Sequence, residues 1–329
     1  MSANEVLDVL EHFPKQCREA YHIARNVKVP QQLNCIAFLG VGGSSLPAEL
    51  IRSYVDFPIP LIIVRDYELP KCVNHDSLVF AISYSGDTEE TIALYKEAFK
   101  RKAKVISISS GGKLRDLCKQ NETVHIEVPQ GLQPRDAIGY QTIPILNILH
   151  TSGFLKNYDQ EIEDAFPILE KDYKTQAKDI ALKLVDKIPL IYASHKLASL
   201  ARIWKISLNE NAKIMAFFNE FPELNHNEMT GSTQLKGNFY CIMLMDERDH
   251  PKIRNRMEIT KRLLQDNGCP VLVIKLNGRN LLAKLFQATY LGKWVAYFVS
   301  QEYGVDPQKV TMQEQLKKEL ERMKTIPVL

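Results

Sequence analysis

Two short stretches put flexible and hydroxyl-bearing residues where apolar runs end. "GVGGSS" (40–45) follows "CIAFL", and "SYSGDTEET" (83–91) follows "LVFAI". Glycine there permits positive φ and close backbone approach, and a helix starting just behind presents unpaired N–H groups to an anion. The hydroxyls of Ser83, Ser85 and Thr88 would add neutral donors at the same edge. Such a lining suits a phosphate monoester that is held through a reaction and not itself transferred. The spacing is neither GxGxxG nor GxxxxGK[ST], which weakens dinucleotide and Walker-type readings. Each stretch also has a plain local explanation: Ser45 caps a helix after a tight turn, and Asp87 with Glu90 forms a capping box.

A second set of residues has the types needed for proton transfer. "LNENAK" (208–213) offers the carboxylate of Glu210, a base if its pocket desolvates it. "FPELNHNEM" (221–229) sets His226 among polar neighbours. Arg135 in "QPRDAIGY" is a fixed cation for developing negative charge, and Lys309 closes "YGVDPQK". Taken singly, each is also explained by a solvated surface or a local ion pair. No second histidine stands at helix spacing from His226, and no HxH or HExxH occurs, so no metal site is recognised. The six cysteines are scattered without a CxxC pair and read as reduced thiols.

The elements that must carry these residues follow from the apolar pattern. Short runs apolar on both faces ("CIAFLG", "LIIV", "LVFAIS", "KVISIS", "VHIEV") alternate with helical segments, which predicts a parallel sheet covered by helices. "TSGFLKNYD" (151–159) interrupts this, and a polar helix is expected from there to about Asp186. A second alternating set follows: "IPLIYAS", a helix, "KIMAFF", "FYCIMLM", a helix from His250 to Asp266, "CPVLVIKL", and a long apolar helix over about 281–303. Met312 to Lys324 reads as a charged amphipathic helix that packs through its apolar stripe. With 329 residues and 45% hydrophobic composition, two domains with sizeable cores are expected, divided as 1–153 and 154–329. The net charge of +3 and the absence of any run of five like charges give no footprint for nucleic acid or a membrane surface, and no apolar run reaches spanning length. A cytoplasmic location is the expectation.

Together, "GVGGSS", "SYSGDTEET" and "PRDAIGY" resemble the sugar isomerase (SIS) domain family, in which a serine-rich loop grips a sugar phosphate. "NENAK" followed by "ELNHNE" resembles the two-SIS-domain phosphoglucose/phosphomannose isomerases in particular, and the likeness covers nearly the whole chain. It implies an α/β fold of two SIS-type, doubly wound parallel-sheet domains, flavodoxin-like sandwiches. By the resemblance, Gly42, Gly43, Ser44, Ser83, Ser85 and Thr88 hold the phosphate of a hexose 6-phosphate. Glu210 shuttles the proton between C2 and C1, Arg135 faces the enediolate, and Lys309 contacts the substrate. His226 assists ring opening from the partner subunit of a homodimer, and no metal or cofactor is implied.

Seven positions before Lys309, where the family has threonine or glutamine, this chain has Glu302 with Gln301 beside it. An acid facing the sugar would disfavour mannose 6-phosphate, and a one-residue shift would restore Gln301. Other readings are a non-catalytic sugar-phosphate regulator or an amino-sugar phosphate isomerase. The second half's equivalent of the phosphate loop, "IYASHKLASL", lacks a glycine turn, so one substrate site per chain is expected.

Overall fold

The structure, a computed structural model, describes residues 3–324. The first half runs α1 (Ala3–Glu11), α2 (Phe13–Ala20), β1 (Ile36–Leu39), α3 (Leu46–Tyr54), β2 (Leu61–Val64), β3 (Leu78–Ile82), α4 (Glu89–Lys100), β4 (Lys104–Ser109), α5 (Gly112–Gln120), β5 (Val124–Glu127) and α6 (Ile138–Thr151). The second runs α7 (Tyr158–Leu169), α8 (Lys174–Leu184), β6 (Ile188–Ser194), α9 (Ala198–Asn211), β7 (Phe217–Phe221), α10 (Glu228–Gly231), β8 (Phe239–Met245), α11 (Pro251–Asp266), β9 (Val271–Lys275), α12 (Leu281–Glu302) and α13 (Thr311–Lys324).

All strand pairs are parallel, in the order β2-β1-β3-β4-β5 for the first sheet and β7-β6-β8-β9 for the second. The parallel pairing is what the alternating pattern predicts, and the doubly wound, flavodoxin-like order is what the resemblance implies. Its winding reverses between β1 and β3 and again between β6 and β8, and ligands bind such sheets beyond the carboxyl ends of strands at that reversal. Strands β1 and β3 are buried at every residue, as strands covered on both faces must be. One apolar core joins the halves, from Phe13 of α2 through Phe38 and Phe80 to Trp204 and Trp294. Gly292 is what lets α12 meet α9 so closely, since a Cβ there would lie 2.6 Å from the Trp204 indole nitrogen. That nitrogen donates to the Ala288 carbonyl at 2.8 Å, so α9, with Glu210 in its last turn, is fixed against the buried α12.

Three local expectations change. The strand read at "KIMAFF" lies at Phe217–Phe221 instead. Lys213 takes φ +59° and turns the chain out of α9, leaving Met215 exposed, so apolar character there does not mark a strand. The polar helix expected before Asp186 is two helices, α7 and α8, broken where the Tyr173 hydroxyl donates to the Ile168 carbonyl at 2.7 Å. Helix α13 forms, yet Met312, Leu316 and Leu320 along it are exposed instead of buried.

Candidate active site

Both strand-end loops lie at the first reversal point and are bonded to each other. After β1, Gly42 (φ +55°) opens a 3-10 turn over Gly42–Ser45, and α3 follows directly. After β3, residues 83–88 loop into α4. The Ser44 hydroxyl accepts the Tyr84 N–H at 3.1 Å and so links the loops. Ser83 is buried. Its hydroxyl lies 2.8 Å from that of Thr88 and accepts the Gly86 N–H at 3.1 Å, so it organises the loop from within. Ser85 is exposed and accepts the Asp87 N–H at 3.3 Å. Gly86, at φ +78°, lets the turn after β4 press in, because a Cβ there would meet the Gly111 carbonyl. The expected Asp87–Glu90 capping box does not form: Thr88 is the N-cap, and Asp87 accepts the Lys113 N–H at 3.1 Å, tying α5 to the loop.

Beside this edge the structure brings Arg135 and Glu210 into contact. Gly43 is the bridge, since a Cβ on it would fall 2.5 Å from the Arg135 backbone nitrogen. The Arg135 side chain is 4% exposed and donates in three directions: to Glu210 Oε2 at 3.1 Å, Asn211 Oδ1 at 2.5 Å and the Pro307 carbonyl at 2.8 Å. A planar guanidinium meets such a set where an ammonium would not. Glu210 keeps 20% of its side chain open, enough to meet a ligand from the free side.

Lys213, which the motif contained without an assigned role, donates from Nζ to the Glu210 carbonyl and, at 3.1 Å, to the Pro307 carbonyl. Burial lowers its pKa, and Arg135 nearby adds to the effect. Pro307 therefore accepts from two cations, which ties the segment bearing Lys309 to Glu210 and Arg135. Lys309 itself is exposed two residues further on.

His226 is not brought to this group. It ends the 3-10 turn Glu223–His226 and is exposed, while Asn225 donates to Thr260 at 2.8 Å and Asn227 to Glu223 at 2.6 Å. Glu302 and Gln301 are exposed in the last turn of α12, with Gln301 donating to the Ser300 hydroxyl at 3.4 Å. Among the described residues, no group of three histidine, cysteine, aspartate or glutamate side chains is placed to hold a metal ion, and no helix is long and apolar enough to cross a membrane.

The second sheet's reversal point is built differently. Where the first offers glycine and hydroxyl donors, the Ser194 hydroxyl donates to Asp249 Oδ1 at 2.6 Å, and Asp249 Oδ2 accepts the Asp246 N–H at 3.1 Å. Lys284 pairs with Asp246 at 2.5 Å behind them. A carboxylate of the chain itself thus occupies the donors that an anion would need.

Comparison with known proteins agrees with this architecture. Residues 173–320 match the family described as the bacterial phospho-glucose isomerase C-terminal SIS domain. A bifunctional phosphoglucose/phosphomannose isomerase of Caldicellulosiruptor bescii is 37% identical over 95% of this chain and 98% of its own. A D-glucosamine-6-phosphate 4-epimerase of Sulfolobus acidocaldarius is 34% identical over 68% of this chain and 72% of its own. Among solved structures, the C-terminal domain of glucosamine-fructose-6-phosphate aminotransferase from Francisella tularensis superposes with a TM-score of 0.76 at 14% identity, covering 94% of this chain and 100% of that one. With more than a third of its residues shared along almost the full length of both chains, this chain belongs to the family of bifunctional phosphoglucose/phosphomannose isomerases.

Proposed function

We propose that the chain interconverts glucose 6-phosphate and mannose 6-phosphate with fructose 6-phosphate through a cis-enediolate. The observation that carries the reading is the Arg135–Glu210 contact at 3.1 Å, beside loops rich in neutral donors. The phosphate is held at Gly42, Gly43, Ser44, Ser83, Ser85 and Thr88. Of the last three, Ser85 is exposed, Thr88 is half-buried with its hydroxyl against that of Ser83, and buried Ser83 keeps the loop in shape. Glu210 takes the proton from C2 of the open-chain aldose; the electron pair forms the enediolate, and the carboxyl group so formed, whose proton exchanges in part with solvent, delivers a proton to C1. The hydroxyl proton on O2 passes to O1, so that composition is unchanged. Arg135 faces the charge that develops on the two oxygens. A base and a fixed cation are sufficient for a proton already acidified by the neighbouring carbonyl.

The division into SIS-type units at 153/154 belongs to the same reading, supported by one parallel sheet on either side. So does a homodimer in which His226 from a second copy reaches Glu210's site and, with Lys309, assists ring opening. The exposure of His226 and of the α13 stripe supports that arrangement. Placement in the cytoplasm fits a metabolic activity of this kind. The likeness to the epimerase favours a second reading, action on an amino-sugar phosphate.

The test is steady-state turnover of fructose 6-phosphate, with glucosamine 6-phosphate assayed in parallel, by the wild type and Glu210→Gln. Loss of about 10³-fold or more in kcat on the neutral sugar is expected for the amide. Wild-type turnover by the variant, or activity confined to the amino sugar, overturns the assignment.

A further inference from the structure

Helix α12 is buried along most of its length, and two lysines lie inside it, Lys284 and Lys293. An ammonium gives up its hydration on burial, so each must be paired and hydrogen-bonded. Lys284 serves Asp246 at the second reversal point. Lys293 points the other way. Its Nζ donates to the Arg135 carbonyl at 2.6 Å and to Asp136 Oδ1 at 2.9 Å, with all three residues buried.

The backbone of residues 135 and 136 has three further contacts. Gly43 lies against the Arg135 nitrogen, the Asp136 N–H donates to the Gln133 carbonyl at 2.8 Å, and the Asp136 carbonyl accepts from Gln16 Nε2 at 3.0 Å. Asp136 is kept below the usual carboxylate range: burial pushes it up, but Lys293 and Arg135 outweigh that, and Gln308 adds a hydrogen bond. Arg135's own three bonds orient the head of its side chain; nothing in them fixes the root.

We infer that Lys293 is a positioning residue for the isomerase reaction: by bonding the Arg135 carbonyl and the Asp136 carboxylate, it fixes the backbone from which the guanidinium reaches Glu210 and Pro307. The inference rests on the isomerase reading of the Arg135–Glu210 pair. Groups that stabilise developing charge must be held to about 0.5 Å, and a displacement near 1 Å costs on the order of 10²-fold in rate. Lys293 touches no substrate in this scheme. It is buried, and its ammonium is taken up by the Arg135 carbonyl and Asp136.

The experiment is a double-mutant cycle on kcat and KM for fructose 6-phosphate, with Lys293→Met made in the wild type and in Arg135→Ala. Because Lys293→Met strands the Asp136 carboxylate, Lys293→Met/Asp136→Leu is made beside it, removing both charges together. In the wild-type background kcat is expected to fall about 30- to 100-fold with KM changed less than about three-fold, because the phosphate loops are untouched. In Arg135→Ala the same change is expected to do almost nothing further, since the group being positioned is gone.

Unchanged kcat in a folded variant overturns the inference, as do effects of Lys293 and Arg135 that simply multiply. So does a paired variant that no longer melts cooperatively, for then the ion pair serves the fold at large. A wild type without isomerase activity overturns the isomerase reading and this inference together. An active wild type that Glu210→Gln inactivates, but whose cycle multiplies, overturns the inference alone.

Discussion

Replacing Gly43 with alanine adds one methyl group at the seam between the glycine-rich loop after β1 and the loop that carries Arg135. The new Cβ would stand 2.5 Å from the Arg135 nitrogen, 2.8 Å from the Pro134 carbonyl carbon and 2.9 Å from the Arg135 Cα, where ordinary contact begins at 3.4 Å. The worst shortfall, 3.4 Å against 2.5 Å, is about 0.9 Å, and backbone on both sides must absorb it because no flexible side chain is in the way. Overpacking of this kind costs about 1–3 kcal/mol. The catalytic cost is the more telling. Whichever side gives, the distance between the proposed phosphate grip and the guanidinium changes by most of an ångström, and kcat is expected to fall on the order of 10²-fold.

Gly268→Ala supplies the comparison. Gly268 sits at φ +83° between α11 and β9, with nothing within 4 Å of an added Cβ, so it is strained without being crowded. It should lose about 1–2 kcal/mol and leave kcat within about two-fold. The assay is kcat for fructose 6-phosphate alongside the thermal midpoint of each protein. Gly43→Ala turning over at the wild-type rate would refute the reasoning, as would Gly268→Ala losing activity to the same extent.

Arg135→Lys keeps the charge but not the fork that reaches Glu210, Asn211 and Pro307, and kcat should drop at least about ten-fold; a fully active variant would mean that charge alone matters. Ser194→Ala removes the donor to Asp249 at the second reversal point, so denaturant melts should show a loss of about 1–3 kcal/mol while kcat and KM stay within about two-fold. A ten-fold rise in KM would instead place substrate there. Because Asp136 is held below the ordinary aspartate value of about 3.9, its contribution to stability is present above that pH and is lost as pH falls through the lower folded value. Followed by circular dichroism against pH, Lys293→Met should therefore unfold at a higher pH than the wild type, and coincident acid transitions would contradict the pairing.

What could be read from the chain was set by local chemistry. Strands such as "IAFL" and "LVFAI" are apolar at every residue because helices cover both faces, and glycine at their ends marks where backbones crowd. The strand Phe217–Phe221 does not coincide with the apolar run before it because an edge strand carries Asn219 and Glu220, whereas the preceding turn exposes apolar Met215. Asp87 and Glu90 have capping-box spacing, but a partner 26 residues away claimed the carboxylate. Arg135 and Glu210, 75 residues apart, meet through tertiary packing, of α9 on α12 and of Gly43 on the Arg135 backbone, which no spacing rule encodes. One signal for the deeper network was present: Lys284 and Lys293 sit inside an otherwise apolar helix, and a lysine there must have a buried partner. Which partner was a matter of tertiary structure, Asp136 being 157 residues away.

The central claim is that Glu210 carries the proton between C2 and C1. It is tested most directly by following deuterium uptake from D₂O into C1 of fructose 6-phosphate by NMR, for the wild type and Glu210→Gln at equal enzyme concentration. The wild type is expected to wash deuterium into C1, and the amide variant to do so at least about 10³-fold more slowly while remaining folded. Exchange by Glu210→Gln at the wild-type rate would contradict the claim and move the base elsewhere.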